Sequence, residues 1–156
     1  MKNTSIKMDK VILPYQLDDG QYGYESVWAN KIGANYQLEN APFFAKNVSY
    51  GDIVSVENEN GRLYFLTLVE ASEHSTIQVI LFTSDAFNQL VSSIEALGGS
   101  WEEFDKKQKY LSIDYPPERN YIDLRRILDA GYTQGLWDYK EACLGQNHRN
   151  QSKGAV

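Results

Sequence analysis

Three adjacent side chains near the middle of the chain, His74, Ser75 and Thr76, are of types that could do chemistry together. A histidine can act as a general base toward a hydroxyl, and a carboxylate can hold the imidazole in the required tautomer. Glu25 is the acid that we consider for this third role. The catalytic hypothesis is therefore a small hydrolase or ligand-binding enzyme with His74 as base and Ser75 or Thr76 as nucleophile.

A structural role for the same residues is the interpretation that we favour. Neighbours in sequence rarely form a catalytic triad, and the chain has no Gly-x-Ser-x-Gly turn that would present a nucleophilic serine. A corner histidine can bond a backbone carbonyl while Ser75 and Thr76 satisfy turn groups. We predict no catalytic residues, and we keep the cluster of His74, Ser75 and Glu25 as the alternative.

Metal and cofactor chemistry is not indicated by the sequence. Cys143 and His148 fall short of any zinc pattern, and Gly98-Gly99 belongs to no phosphate-binding motif. We predict no metal and no cofactor, with Cys143 as an inert, at least half-buried thiol. A single cysteine also precludes an internal disulfide and fits a reducing compartment.

The charge balance favours a protein as the partner. The chain carries 21 acidic and 15 basic residues, a net charge of −6, and Arg125-Arg126 is no more than a basic pair. Binding to phosphates needs a basic surface, so we predict no nucleic-acid partner. An acidic surface with eleven tyrosines suits a basic protein, such as a toxin domain.

A membrane partner is not expected either. The N-terminal residues have no apolar core of signal-peptide length, and no apolar run approaches the roughly 18 residues that a membrane helix needs. We expect a cytoplasmic protein.

The candidate contact residues lie in the first half of the chain. Glu25 and Trp28 point to opposite faces of a regular strand, and we expect Trp28 to face the core. Phe43 and Phe44 follow Pro42 in an irregular segment, and we expect them to plug the end of a small barrel. The predicted binding residues are Glu25, Trp28, Phe43, Phe44, Tyr50 and His74.

Hydrophobic periodicity divides the chain into a β-rich first half and a mixed second half. Strands are predicted over 10–17, 24–32, 36–38, 52–58, 62–70, 76–82, 110–115 and 135–139. Two helical stripes follow strand 76–82. The first covers 84–97 with Ser84 as N-cap, and the second begins after Asn120 and closes at Gly131. Glu102, Glu103 and Asp105 are read as solvated loop charges.

These elements predict a single α+β domain. A small antiparallel barrel-like β half, 10–82, is merged with a β-α-β-α-β half, 76–144, and the two halves share strand 76–82. We predict an N-terminal extension over 1–9. We also predict a polar, mobile tail over 145–156.

Several short motifs occur in a combination that resembles the bacterial family called domain of unknown function 4265 (DUF4265). The resemblance covers about residues 10 to 144 and implies the layout above, without an established activity. Members usually carry glycine before His-Ser-Thr, where this chain has Glu73. The matching segments are 25–29, 40–45, 48–54, 61–63, 74–76, 97–99, 114–117, 124–128 and 137–143.

The function that we predict is a non-enzymatic protein-interaction module. In size and acidity the chain resembles the immunity proteins of bacterial polymorphic-toxin systems, so neutralisation of a toxin domain is the more specific hypothesis. This likeness is an analogy of type, because neither size nor fold determines function.

Overall fold

The computed structural model describes residues 7–154. The predicted N-terminal extension, 1–9, lies largely outside this range, as does the end of the predicted tail, 155–156. Within it the chain forms an α+β fold with two sheets, which confirms the predicted fold class. The elements are β1 Asp9–Gln16, β2 Tyr22–Ile32, β3 Asn35–Leu38, β4 Ile53–Glu59, β5 Arg62–Glu70, β6 Ser75–Leu81, α1 Ser84–Ala96, β7 Ser100–Glu103, β8 Tyr110–Tyr115, α2 Tyr121–Thr133, β9 Trp137–Cys143 and α3 Gln146–Gly154.

The first five strands form a ring. They pair in sequence order and antiparallel, and the ring closes because β1 also pairs with β5, in parallel, with Val11 opposite Leu63. Alternate residues point inward and fill the interior with apolar side chains, most of them small or medium in size. The buried interior residues are Val11, Leu13, Val27, Ala29, Tyr36, Leu38, Ala45, Val48 and Val54.

The second sheet has the order β7-β8-β6-β9 and is antiparallel throughout. With its helices it follows the β-α-β-β-α-β succession of ferredoxin-like folds. Among the described residues β6 has its ladder partners in β8 and β9, so the two halves do not share a strand as predicted. The apolar side chains Ile77, Val79 and Leu81 of β6 join the core beneath the helices.

The other face of β6 carries polar residues that fasten the ring to the second sheet. Gln78 Nε2 donates to the carbonyls of Pro42 and Ala45, both at 3.1 Å. Ser112 Oγ on β8 donates to the same Pro42 carbonyl at 2.8 Å. These side chains are buried, so they satisfy the carbonyls of a segment that has no ladder of its own.

Phe43 and Phe44 fill this junction between the two sheets. The centroid of the Phe44 side chain lies 5.1 Å from that of Tyr15 in β1 and 5.4 Å from that of Tyr110 in β8. Phe43 lies 5.5 Å from Phe104. The two phenylalanines therefore bridge the two sheets, where the sequence led us to expect a plug at the end of the barrel.

Three elements of the second half differ from the predicted ones. Glu102 and Glu103, expected in a loop, belong to the strand β7. Trp101 of this strand packs edge-on against Phe87 of α1, at a centroid distance of 5.3 Å. The N-cap of α1 is Thr83, not Ser84. The last strand, expected at 135–139, runs over Trp137–Cys143.

The predicted end of α2 at Gly131 is also wrong, because the helix continues to Thr133. A Cβ on Gly131 would lie 1.9 Å from Cζ2 of Trp137. Glycine is therefore required here because the buried indole of Trp137 approaches so closely, not because the backbone changes direction. The chain turns later, at Gly135, where φ is +74°.

The segment expected to be a mobile tail is the helix α3. Its residues are almost all polar, which is why hydrophobic periodicity did not reveal it. His148 lies on the face of α3 that packs against the rest of the fold and is fully buried. The Glu73 carboxylate accepts the N–H of Gln146 at 2.6 Å, so the start of the helix is held by the corner before β6.

Within residues 7–154 no helix is both long enough and apolar enough to cross a membrane.

Candidate functional sites

The corner between β5 and β6 places His74 beside a carboxylate. His74 Nδ1 lies 2.8 Å from Asp114 Oδ1 on β8, where the sequence led us to expect a backbone carbonyl as partner. The Tyr50 ring packs against the imidazole at a centroid distance of 5.3 Å. The hydrogen bond that the imidazole donates to Asp114 raises the pKa of His74, against the opposing effect of burial. His74 is thus the half-buried partner of the Asp114 carboxylate, and the two form an ion pair when the imidazole is protonated.

Ser75 forms a different pair, with a histidine that we did not assign to the site. Ser75 Oγ lies 2.5 Å from His148 Nδ1, and His148 Nε2 lies 3.1 Å from the carbonyl oxygen of Arg119. A carbonyl can only accept, so Nε2 carries the proton and Nδ1 accepts from the Ser75 hydroxyl. Burial lowers the pKa of His148, which keeps the imidazole neutral.

This Ser75–His148 pair has the spacing of a nucleophile and its base, but it is closed to substrate. Both side chains are 0% exposed. Ser75 Oγ also accepts the N–H of Gly145 at 2.9 Å, so the hydroxyl is fully engaged within the fold. A nucleophile must reach its substrate, so the arrangement is suited to holding α3 in place.

Glu25, the third member of the catalytic hypothesis, serves the segment that joins the two sheets. Its carboxylate accepts three successive backbone N–H groups, those of Phe43, Phe44 and Ala45, at 2.9, 2.8 and 2.7 Å. The structure thus gives separate partners to Glu25, His74 and Ser75. The three do not form one hydrogen-bonded chain.

A cleft of about 360 Å³ lies at the junction, between the corner at His74, the end of β9 and the start of α3. Cys143 and Arg149 also line it. Burial raises the pKa of the Cys143 thiol, so the less reactive protonated form is favoured. Among residues 7–154 no group of three or more histidine, cysteine or acidic side chains is placed to hold a metal ion.

The outer face of the ring presents exposed aromatic and acidic side chains together. Tyr24 is 61% exposed and Trp28 is 44% exposed, so the expectation that Trp28 faces the core is wrong. Its neighbours Val27 and Ala29 occupy the interior instead. We call this surface the outer face. It consists of Tyr22, Tyr24 and Trp28 of β2, Glu57 and Glu59 of β4, and Tyr64 of β5.

The register of the strands brings these residues together. Glu57 of β4 pairs with Tyr64 of β5, and Tyr64 pairs with Ile12 of β1, where β5 and β1 close the ring. The rings of Tyr24 and Tyr64 meet edge to face at 6.5 Å. They border a shallow concavity of about 610 Å³ that Glu57, Glu59 and Arg62 also line.

A cation already lies against this face. The ammonium of Lys10 is 4.8 Å from the centre of the Trp28 ring, within the range of a cation–π contact. The aromatic rings and carboxylates of the outer face thus stabilise positive charge, and two cations of the chain itself, Lys10 and Arg62, already lie among them.

Of the predicted binding residues, the outer face includes Trp28. Phe43 and Phe44 lie partly buried at the junction, Glu25 faces their backbone, and Tyr50 lies beside His74. Sequence reasoning missed Tyr22, Tyr24, Tyr64 and the two glutamates. The alternation of Tyr24, Ser26 and Trp28 along one strand face was the available signal, but its inward or outward direction was taken the wrong way round.

An α+β domain with a closed ring joined to a ferredoxin-like half is the class that the fold defines. The chain belongs to the DUF4265 family, described as a domain of unknown function, whose model matches residues 25–139. A crystal structure of a hypothetical protein from Neisseria gonorrhoeae is similar, with a TM-score of 0.79 and 29% sequence identity. The similarity covers 89% of this chain and 96% of that one. No curated protein matched in the comparison.

Proposed function

We propose that this protein is a non-enzymatic interaction module that binds a basic protein through the outer face. The observation that carries the proposal is the exposure of Tyr24 and Trp28 on one face of β2, with Tyr24 at the concavity that Glu57 and Glu59 line. Tyrosine and tryptophan are enriched among the residues that dominate binding energy at protein interfaces. The net charge of −6 adds long-range attraction for a basic partner.

The test compares capture of basic proteins from the native cells by the wild-type chain and by a Tyr24→Ala/Trp28→Ala variant. Both positions are exposed, so the variant is expected to fold, and we expect its affinity to fall by about tenfold or more. Tyr132→Ala is the matched control, since Tyr132 is 58% exposed on α2 and lies outside the outer face. Equal capture by all three proteins would contradict the assignment of this surface.

Charge reversal tests the acidic part of the outer face. Glu57→Lys/Glu59→Lys should slow association with a basic partner and weaken its dependence on salt, because two attracting carboxylates become two repelling cations beside Arg62. Glu70→Lys changes an exposed carboxylate at the end of β5 and is the control. If the double variant associated at the wild-type rate, Glu57 and Glu59 would not contribute to attracting the partner.

The more specific proposal is that the partner is a toxin domain and that this protein is its immunity protein. The small acidic domain with an exposed aromatic surface supports this proposal. The test is co-expression with a toxin encoded directly upstream, scored as survival of the cells. Survival that the Tyr24→Ala/Trp28→Ala variant fails to give is the expected result, and killing in the presence of the wild-type chain would contradict the immunity role.

The alternative proposal is a small enzyme that uses His74. The observation in its favour is that His74 lines the junction cleft. His74→Ala would then abolish the cellular phenotype while Tyr24→Ala/Trp28→Ala would preserve it. The opposite pattern supports the interaction module.

A further inference from the structure

The strand β9 lies at the edge of the second sheet with one side of its backbone unpaired. Phe82 N donates to the carbonyl of Leu136, and this contact sets the alternation of the β6–β9 ladder. The backbone groups of Trp137, Tyr139 and Glu141 must then point away from β6. Tyr139 N–H agrees with this direction, because it donates to Asp138 Oδ1 at 2.8 Å.

The length of this free edge is limited by the ring. Asn47 N donates to the carbonyl of Ala142 at 2.9 Å, so the ring covers the edge from Ala142 onward. In the described part of the chain, no main-chain partner lies against the outward groups between Trp137 and Glu141. The free edge is therefore the five-residue segment 137–141, a typical strand length, and its outward backbone groups are those of Trp137, Tyr139 and Glu141.

The charges on this edge are complementary to a second copy of the same edge. Asp138 and Lys140 flank Tyr139 and lie on one face of the sheet, opposite Ile80 and Gln78 of β6. In an antiparallel pairing centred on Tyr139, Asp138 of each copy lies opposite Lys140 of the other. Both contacts fall at positions without backbone hydrogen bonds, where opposing side chains are closest.

We propose that the protein forms a homodimer in which two β9 edges pair antiparallel about Tyr139. Each four-stranded sheet then continues into that of the second copy. Tyr139 N–H exchanges its local bond to Asp138 for the Tyr139 carbonyl of the second copy. The Asp138 carboxylate is released to pair with Lys140 across the two-fold axis.

Charges on edge strands commonly prevent pairing of this kind. They do so when like charges meet, as would happen here if Asp138 faced Asp138 of a second copy. The opposite signs on either side of Tyr139 favour one register over the others, since each antiparallel contact then joins an acid to a base. The edge is thus selective for a second copy in the centred register.

Sedimentation velocity of the full chain over a range of concentrations tests the proposal. We expect a dimer that weakens as salt is raised. Asp138→Lys and Lys140→Asp should each weaken dimerisation by about tenfold or more, because two contacts between opposite charges become two between like charges. The double variant D138K/K140D restores complementarity, and its dimer should return.

Two further variants separate the edge from general effects of charge and folding. Lys31→Glu reverses an exposed charge on β2 and should leave the dimer unchanged. Tyr139→Pro removes the central outward N–H without removing a bond to β6, so it should give a folded monomer, with folding checked by circular dichroism.

A wild-type chain that stays monomeric at every concentration would overturn the homodimer. So would a dimer that is indifferent to D138K, or one that the double variant fails to restore. A monomer whose Trp137–Glu141 amides respond to an extended peptide would assign this edge to another protein and would equally overturn the proposal.

Discussion

The hydroxyl of Ser75 lies 2.5 Å from Nδ1 of His148, and both side chains are completely buried. The pair joins the start of β6 to α3, a separation of 73 residues in sequence. Nε2 of His148 donates to the carbonyl of Arg119, and Ser75 Oγ also accepts the N–H of Gly145. A helix with an almost wholly polar sequence is thereby attached to the sheet by hydrogen bonds.

Replacing Ser75 by alanine should destabilise the protein. Ser75→Ala leaves Nδ1 of His148 and the N–H of Gly145 buried without partners, at a cost of about 1–3 kcal/mol for each group. Urea unfolding measures the loss, and amide exchange in α3 should increase in parallel. Ser93→Ala is the control, since Ser93 Oγ donates to the Gln89 carbonyl on an exposed face of α1. Equal stabilities for the two variants would show that the buried pair is not a stabilising contact.

His148 should make the protein less stable in acid. Burial lowers its folded-state pKa below the ordinary value of 6.5, so below pH 6.5 the unfolded chain binds this proton more readily. The stability contribution is therefore complete above pH 6.5 and is lost as the pH falls through the folded-state pKa. His148→Gln should show a smaller loss of unfolding free energy than the wild type between pH 7 and pH 5. A parallel pH dependence in the two proteins would contradict the lowered pKa.

His74 should act in the opposite direction. Its hydrogen bond to Asp114 raises the folded-state pKa above 6.5, so this contribution is complete below pH 6.5 and is lost as the pH rises through the raised value. Asp114→Asn should lower the His74 pKa in an NMR titration, and the chain has two histidines to assign. The His148 signal is the internal control. A His74 pKa unchanged by Asp114→Asn would show that the carboxylate is not its cause.

Every described strand except β7, and both longer helices, could be predicted because their patterns are local. A period of two or of about 3.6 residues is visible within one segment, whatever that segment later contacts. The contact between Ser75 and His148 has no such signature, since its partners are brought together by the complete fold. The helix α3 was missed because its polar residues show no hydrophobic period, and its contact through His148 forms only in the complete fold.

The direction of Trp28 shows a second limit of the sequence. Both faces of β2 carry apolar residues, so alternation alone cannot tell which face is inside. The interior of a small closed ring has room for Val27 and Ala29 but little for an indole. The choice between the faces therefore depends on the volume enclosed by five strands, which is a property of the whole ring.

Glu25 should be essential for stability, although it belongs to no catalytic site. Glu25→Ala removes the acceptor of three backbone N–H groups in the segment from Phe43 to Ala45. Hydrogen bonds to a charged group contribute about 1.5–3 kcal/mol each, and water can replace some of them, so we expect a loss of about 3 kcal/mol or more. Thermal unfolding measures it, with Glu70→Ala as the control on an exposed carboxylate. If Glu25→Ala unfolded at the same temperature as Glu70→Ala, the carboxylate would not be what holds this segment.

Glu73 occupies a backbone conformation that favours glycine. Its φ is +69°, a region that costs a residue with a side chain about 1–2 kcal/mol. Its carboxylate compensates in part by accepting the N–H of Gln146. Both Glu73→Gly and Glu73→Ala lose this hydrogen bond, and they differ in whether a Cβ is present. We therefore expect the glycine variant to be more stable than the alanine variant by about 1 kcal/mol in urea unfolding. An alanine variant as stable as the glycine variant would show that the corner relaxes without strain.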